Sequence, residues 1–232
     1  MFRVLVLILV CCSAITQVQP QTALISRNEY SNAYSSALEK SREYSRHQTS
    51  KLVKSLNGSV RILLWDWEYE LPYKHRLVFE EKTAEKNSRF ERISLEYKTF
   101  CKADDADWVI ETGSCETSLP WVITQQSYML STRASSKFTS EQQSINGRKV
   151  RSYREYALFG SVSGVGGTGS FSHYNECIFW VDGTGRLIKQ SFKSGAVGSN
   201  QIYGSWDDEI DYERSVKVEA PNERRVPAKL QM

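Results

Sequence analysis

Leu63-Leu64-Trp65-Asp66-Trp67-Glu68-Tyr69-Glu70-Leu71 alternates large apolar side chains with acidic ones along most of its length. In an extended chain one side of this stretch is acidic, and the other side carries Leu63, Trp65, Trp67, Tyr69 and Leu71. Such alternation predicts a β-strand with one dry face and one wet face. Because the dry face is large and aromatic, the sheet that contains it must be covered by a second layer or must curve around a cavity.

The bulk composition predicts one globular domain with a hydrophobic core. The chain has 232 residues, of which 40% are apolar, 12% aromatic and 25% charged. The formal net charge is +3, from 30 Lys and Arg against 27 Asp and Glu, and the two signs are interleaved. This balance is too even to indicate a nucleic-acid partner or an anionic membrane.

Residues 1–20 have the pattern of a secretory signal peptide. Arg3 precedes the apolar run from Val4 to Val10, and small residues follow. The run is too short to span a bilayer permanently, so we expect no transmembrane segment after processing. We therefore predict a secreted or extracellular protein (periplasmic in a bacterium), with a single domain over residues 21–221 and a disordered tail over 222–232.

Three cysteines remain after such processing, and in an oxidising compartment a disulfide is expected. Cys101 and Cys115 enclose a turn-forming run of aspartates and are the predicted pair, bridging two adjacent strands. Cys177 lies in an apolar stretch and is predicted to be a buried free thiol. Asn57 begins an N-glycosylation sequon and is a candidate modification site in a eukaryotic secretory pathway.

The predicted elements are one helix followed by antiparallel strands, a mostly β fold with one N-terminal α-helix. Ser26 followed by Glu29 is a capping-box pattern, and apolar residues at helical spacing then predict an amphipathic helix over residues 28–45. Asn57-Gly58 and Asn146-Gly147 indicate tight hairpin turns. The predicted strands cover residues 49–56, 59–71, 75–82, 89–101, 108–110, 137–145, 148–159, 174–182, 185–193, 200–208 and 214–220.

No local motif indicates catalysis or metal binding. His47, His75 and His173 fall in different predicted elements, and the acidic run at 207–211 is interpreted as a hydrophilic turn. The glycine-rich run at 160–170 precedes a strand rather than a helix, so it is interpreted as a hairpin connection and not a phosphate loop. We predict no catalytic residue, no metal and no cofactor, and keep as an alternative a hydrolase that assembles one of the histidines with distant residues.

The C-terminal third resembles a known family. Phe179-Trp180-Val181-Asp182-Gly183-Thr184-Gly185-Arg186-Leu187-Ile188-Lys189 forms a strand, a turn and a strand, and Tyr212 to Pro221 follows as a final apolar-alternating segment. These motifs, with the order of helix and meander, resemble the bacterial outer-membrane lipoprotein-sorting (LolA-like) half-barrels. The resemblance implies an antiparallel incomplete (half) β-barrel wrapped on a helix. It also implies binding of a lipid or another hydrophobic ligand without chemistry, with an acylated protein as a further partner.

The aromatic stripe has two interpretations. As the wall of a cavity that holds a lipid or acyl chain, it would comprise Trp65, Trp67, Tyr69, Leu77, Phe79, Ile93, Leu95 and Tyr97, with Tyr34 and Leu38 on the helix. As a filled core it would stabilise an extracellular structural or protein-interaction β-domain that has no small-molecule ligand. Composition does not distinguish the two.

Overall fold

A computed structural model describes residues 22–56, 59–111, 136–161 and 170–221 of the chain. The described residues form one helix and a single antiparallel sheet of twelve strands. In chain order, the elements are β1 (Ala23–Leu24), α1 (Arg27–Arg42), β2 (Arg46–Leu56), β3 (Ser59–Glu70), β4 (Lys74–Lys82), β5 (Asn87–Leu95), β6 (Lys98–Ala103), β7 (Val109–Glu111), β8 (Lys137–Ile145), β9 (Arg148–Ser161), β10 (Ser170–Asp182), β11 (Leu187–Ala196) and β12 (Ile202–Asp211).

The sheet is open, with β1 at one edge and β7 at the other. Its strand order is β1-β8-β9-β10-β11-β12-β2-β3-β4-β5-β6-β7. Strands β2 to β7 follow one another in space as in sequence, and so do β8 to β12. The two runs are joined where β12 pairs with β2, in a ladder from Gly204 opposite Lys54 to Asp211 opposite His47. The predicted fold class, a mostly β incomplete barrel with a single helix, is confirmed by this topology.

Helix α1 begins where the capping box predicted it. The Glu29 amide donates to Ser26 Oγ at 3.2 Å, and the Ser26 amide donates to the Glu29 carboxylate at 2.7 Å. The helix ends at Arg42, three residues earlier than the predicted 45. The Glu43 amide closes the last turn on the Lys40 carbonyl, and the chain then enters β2 at Arg46.

The helix covers one face of the sheet, which we call the inner face. Phe179 is fully buried there, and its ring centroid lies 5.2 Å from that of Tyr30, 5.1 Å from Tyr34 and 4.8 Å from Tyr153. Burying each such ring contributes about 1.5–3 kcal/mol, so this cluster is sufficient to hold α1 on the sheet. The space under the helix is a filled core.

Two strand predictions were wrong. The predicted strand 89–101 is two strands, β5 and β6, joined by a turn at Glu96-Tyr97. The predicted strand 214–220 makes no ladder; instead the Val218 amide donates to Glu70 Oε2 at 2.7 Å, and the Val218 side chain is buried against Ile93 and Phe100. The C-terminal segment thus covers the outer face of β5 and β6, where Ile93 and Phe100 are buried.

The second predicted hairpin is confirmed closely. Strands β8 and β9 flank Asn146-Gly147, and both turn residues have positive φ, 51° and 78°. The Asp182 side chain organises another turn by accepting from the Thr184 amide and the Arg186 amide. Asn57, the signal peptide at 1–20, the connections at 112–135 and 162–169, and the tail at 222–232 lie outside the described residues, and the domain boundaries stay predictions.

Candidate functional site

The inner face of β3 to β6 carries a group of apolar side chains that we call the aromatic wall. Ladder pairing places Trp65 opposite Phe79 and Phe79 opposite Phe90, and the Trp65 and Phe79 ring centroids are 5.5 Å apart. The aromatic wall comprises Leu63, Trp65, Trp67 and Tyr69 on β3, Leu77 and Phe79 on β4, and Phe90 on β5. The acidic residues of β3 point the other way, so the predicted dry and wet faces are confirmed from Leu63 to Glu70. Leu71, also predicted on the dry face, lies in the turn after β3 and is 39% exposed.

Most of the aromatic wall is covered by the chain itself. Trp65 is 9% exposed, Phe79 6% and Leu63 3%. Helix α1 does not provide this cover, since its main contacts are with β8 and β11. The middle of the wall is therefore closed to solvent in this structure.

One end of the aromatic wall opens into a cavity of about 230 Å³. Its lining combines two rings with cationic and polar groups: Trp67, Tyr69, Arg46, Gln48 and His75. The Arg46 guanidinium lies 4.7 Å from the centre of the Tyr69 ring, a cation–π distance. Arg46 Nη1 also donates to the Ser41 carbonyl at 3.1 Å, which fixes this edge of the cavity to the last turn of α1.

The histidine in the cavity is shifted toward its neutral form. Burial lowers the pKa of His75, and the positive charge of Arg92 lowers this pKa further. Burial likewise lowers the pKa of Arg46, although an arginine stays protonated near neutral pH. The cavity therefore presents one lasting cation, Arg46, and a neutral imidazole.

A buried carboxylate lies beside the cavity, and sequence reasoning missed it. Asp208 on β12 is fully buried and accepts from Gln48 Nε2 at 2.8 Å, Ser50 Oγ at 2.7 Å and Gln190 Nε2 at 2.6 Å. Tyr34 Oη donates to Gln190 Oε1 at 3.1 Å, which connects the helix to this network. We had interpreted the acidic run here as a turn.

The alternation of inward-facing and outward-facing residues along β12 was the sequence signal that Asp208 is buried. Trp206 and Ile210 flank Asp208 at alternate positions, and both pack in the core under α1. A residue midway between two inward-facing apolar residues of one strand must face inward as well. The alternation around Asp208 is thus the signal by which a buried carboxylate could have been predicted, whereas Asp207 and Glu209 face solvent.

Three predicted cavity residues lie elsewhere. Ile93 and Leu95 belong to a separate cluster on the outer face, since Ile93 pairs with Arg76 and not with an inward-facing residue. Tyr97 is 96% exposed in the turn between β5 and β6. Placing these residues with Trp65 was wrong, because Phe90 sets the phase of β5 and the turn at Glu96-Tyr97 ends the strand.

The two helix residues lie in the core and not along the cavity. Tyr34 is 1% exposed, and Leu38 packs half-buried against the same cluster under α1. Burial and the nearby Asp208 carboxylate raise the pKa of Tyr34 well above its ordinary value. Both side chains fill space that the cavity interpretation would leave to a ligand.

The outer face carries a network of ion pairs between neighbouring strands. Arg76 contacts Glu91 at 2.6 Å and Glu68 at 3.5 Å, and Arg89 contacts Glu80 at 2.7 Å. A depression of about 530 Å³ on this face is lined mostly by charged side chains, in keeping with a hydrated surface. Its charges are largely paired with one another.

The histidines lie in three different surroundings. His47 contacts Asp66 at 2.9 Å on the outer face, His75 lines the cavity, and the His173 ring stacks on Phe159 at 5.1 Å. Within the part of the chain that the structure describes, no group of three or more His, Cys, Asp and Glu side chains is arranged to hold a metal ion. The same residues include no helix long and apolar enough to cross a membrane.

The two described cysteines differ in state. Cys101, on β6 beside the aromatic wall, takes part in a disulfide. Its predicted partner, Cys115, lies outside the described residues, so the pairing stays a prediction. Cys177 is a buried free thiol, as expected, and burial raises its pKa to about 12.

No protein-family model and no curated protein matches this chain. Among solved structures, it is similar to the lipoprotein LppX of Mycobacterium tuberculosis, with 12% identity, 84% of this chain and 100% of that chain covered, and a TM-score of 0.44. LprF of Mycobacterium bovis is 13% identical, with 86% of this chain and 99% of that chain covered and a TM-score of 0.45. The LolA superfamily protein NE2245 of Nitrosomonas europaea is 8% identical, with 82% of this chain and 95% of that chain covered and a TM-score of 0.29.

All three TM-scores lie below 0.5, so the fold class rests on the topology of the sheet and not on these likenesses. Identities and TM-scores this low show no shared ligand and no shared activity. What the chain binds has to be inferred from its own side chains.

Proposed function

We propose that the chain is a non-catalytic protein that binds a hydrophobic ligand, a lipid or an acyl chain, on the inner face of β2 to β5. The observation that supports this best is the cavity lined by Trp67, Tyr69 and Arg46 at one end of the aromatic wall. Concave sites lined by rings with a few polar groups are the usual form of small-molecule sites.

The size of the cavity limits what it holds. Its volume of about 230 Å³ is below the roughly 300–1,000 Å³ that is common for sites of drug-sized ligands. The cavity therefore fits one end of a lipid, and the remainder extends out into solvent. The same dimensions allow the acyl group of an acylated protein.

The proposed setting is outside the cytosol. It rests on the signal-peptide pattern of residues 1–20 and on the disulfide at Cys101, since disulfides persist in oxidising compartments. A ligand carrier in such a compartment needs no cofactor, because binding and release involve no chemistry.

Displacement of a dansyl-labelled fatty acid tests the proposal. The probe is titrated onto wild-type protein and then displaced by unlabelled lipids of several classes. Trp67→Ala removes a ring from the cavity and is expected to weaken binding about tenfold or more. Trp180→Ala is the matched control, because Trp180 is also half-buried but does not line the cavity. Absence of probe binding and of displacement by every lipid class, in folded protein, refutes the proposal.

The second candidate is an extracellular structural or protein-interaction domain with a filled core. The burial of Leu63, Trp65 and Phe79 favours it. It predicts that Trp65→Ala lowers the melting temperature with no effect on any ligand. Native mass spectrometry of the purified protein distinguishes the two, since co-purifying lipid supports the carrier and a clean mass supports the filled core.

A further inference from the structure

Two buried donors on the inner face lack a hydrogen-bond partner among the described residues. They are Trp65 Nε1 and Arg92 Nε. In the ladder, Arg92 lies between Leu77 of β4 and Cys101 of β6, so it projects on the same side as the aromatic wall. Buried polar groups are nearly always paired, so unpaired donors in this position indicate a missing acceptor.

The carboxylates of β3 to β5 do not supply that acceptor. Asp66, Glu68 and Glu91 all lie on the outer face, as the ladder pairing shows. Glu81 lies on the inner face but at the end of β4 away from His75, where Arg61 pairs with it at 2.6 Å. Arg92 makes no ion pair with any carboxylate of the described residues.

The nearest buried acid on the inner face is already used. Asp208 accepts from Gln48, Ser50 and Gln190, so its oxygens are occupied by amide and hydroxyl donors. Gln48 lines the cavity, but its amide group is committed to Asp208. The lining of the cavity therefore holds one lasting cation, Arg46, and no carboxylate. The charge of the neighbouring Asp208 acts on Arg46, but the Asp208 oxygens accept from other donors.

The polar and apolar groups follow the strand direction. Ladder rows run from Tyr69 opposite His75, through Trp67 opposite Leu77, to Trp65 opposite Phe79. The row of Tyr69 and His75 belongs to the cavity together with Arg46, and Arg92, opposite Leu77 in the next row, is close enough to lower the pKa of His75. The cavity thus combines positive charge with the rings of Trp67 and Tyr69. This combination matches a molecule with an anionic head and a hydrocarbon tail.

We propose that the ligand is an anionic single-chain amphiphile whose carboxylate or phosphate head binds at the cavity near Arg46 and Arg92, with its apolar chain against the rings of Trp67 and Tyr69. This inference rests on the function proposed above and adds the charge of the ligand. A guanidinium is the side chain best suited to carboxylate and phosphate recognition. The opposing expectation is that neutral and anionic amphiphiles of the same chain length bind with equal affinity.

A head-group series on the wild-type protein tests the inference without any variant. Dodecanoate, dodecyl phosphate, dodecanol and dodecyltrimethylammonium share one chain and compete for the dansyl-labelled probe. We expect the two anions to bind about tenfold or more tightly than the alcohol and the cation to bind most weakly. A preference for only one of the two anions identifies the head group.

A pair of arginine variants assigns the preference to the inner face. Arg92→Gln removes the inner-face charge, whereas Arg89→Gln removes a charge from the outer face of the same strand, where Arg89 pairs with Glu80. We expect Arg92→Gln to reduce the preference for anions over dodecanol, because only Arg46 then remains beside the head group. Arg89→Gln should keep the wild-type preference.

The outcomes separate this inference from the function on which it rests. Failure of all four amphiphiles to bind folded wild-type protein refutes both. Equal binding of dodecanol and dodecanoate overturns the anionic head group and leaves the hydrophobic ligand in place. An anion preference that Arg92→Gln leaves at its wild-type size assigns the charge to another residue and also overturns the inference.

Discussion

Replacing Asp208 by Asn tests whether the buried carboxylate joins the helix side of the sheet to β2. Asp208 accepts from donors on β2 and on β11, and Gln190 relays the network to Tyr34 on α1. In the Asn variant one acceptor oxygen becomes an NH₂ group that faces other donors. The remaining hydrogen bonds become neutral.

The expected loss follows from the number of donors. A hydrogen bond to a charged group contributes about 1.5–3 kcal/mol and a neutral one about 0.5–1.5 kcal/mol, a difference of about 1 kcal/mol for each bond. Three side chains donate to Asp208. The free energy of unfolding should therefore fall by about 3 kcal/mol, which corresponds to roughly 6–12 °C in melting temperature for a protein of this size.

Urea unfolding followed by tryptophan fluorescence measures the effect. Asp207→Asn is the matched control, because Asp207 is the preceding residue and is exposed, and its effect should stay within about 0.5 kcal/mol. If Asp208→Asn and Asp207→Asn had the same free energy of unfolding, the hydrogen-bond network around Asp208 would contribute nothing to stability.

Two further predictions concern a carboxyl and the cysteines. Burial raises the pKa of Glu155, whose Oε2 has no hydrogen-bond partner among the described residues, so its folded form holds a proton more tightly than its unfolded form. Its contribution to stability is complete below the ordinary pKa of about 4.5 and is lost as the pH rises through the folded pKa. Glu155→Gln should therefore stabilise the protein at pH ~7 and lose this advantage below pH ~4.5 in thermal unfolding, and an equal difference at both pH values would contradict it. Non-reducing peptide mapping should recover Cys101 linked to Cys115, with Cys177 alkylated only after unfolding; a link that contains Cys177 would exclude this pairing.

The fold was predictable where two local signals agreed. The alternation around Trp65 predicted β3, and the Asn146-Gly147 turn predicted β8 and β9, because a type of turn that needs positive φ leaves few alternatives. The turn at Glu96-Tyr97 has no Gly, Pro or Asn, so sequence reasoning continued one strand through it. The cover that Val218 provides depends on tertiary packing, which no local pattern encodes.

The candidate site was predictable only in part. Trp67 and Tyr69 were selected from alternation, and they line the cavity. Arg46 and His75 were not selected, because a polar residue in a strand is indistinguishable from a solvated one until the phase of the strand is known. For the same reason the unpaired donor on Arg92 becomes visible only once Phe90 has set the phase of β5.

The ladder between β2 and β12 constrains when the molecule is able to assemble. It joins residues 46–56 to residues 202–211, so nearly the whole domain intervenes between the paired strands. During translation β2 leaves the ribosome early and keeps an unpaired edge until β12 emerges, which exposes it to association with other chains. Contacts of such long sequence separation also slow folding. Completion of the sheet is therefore a late event that follows synthesis of the last strand.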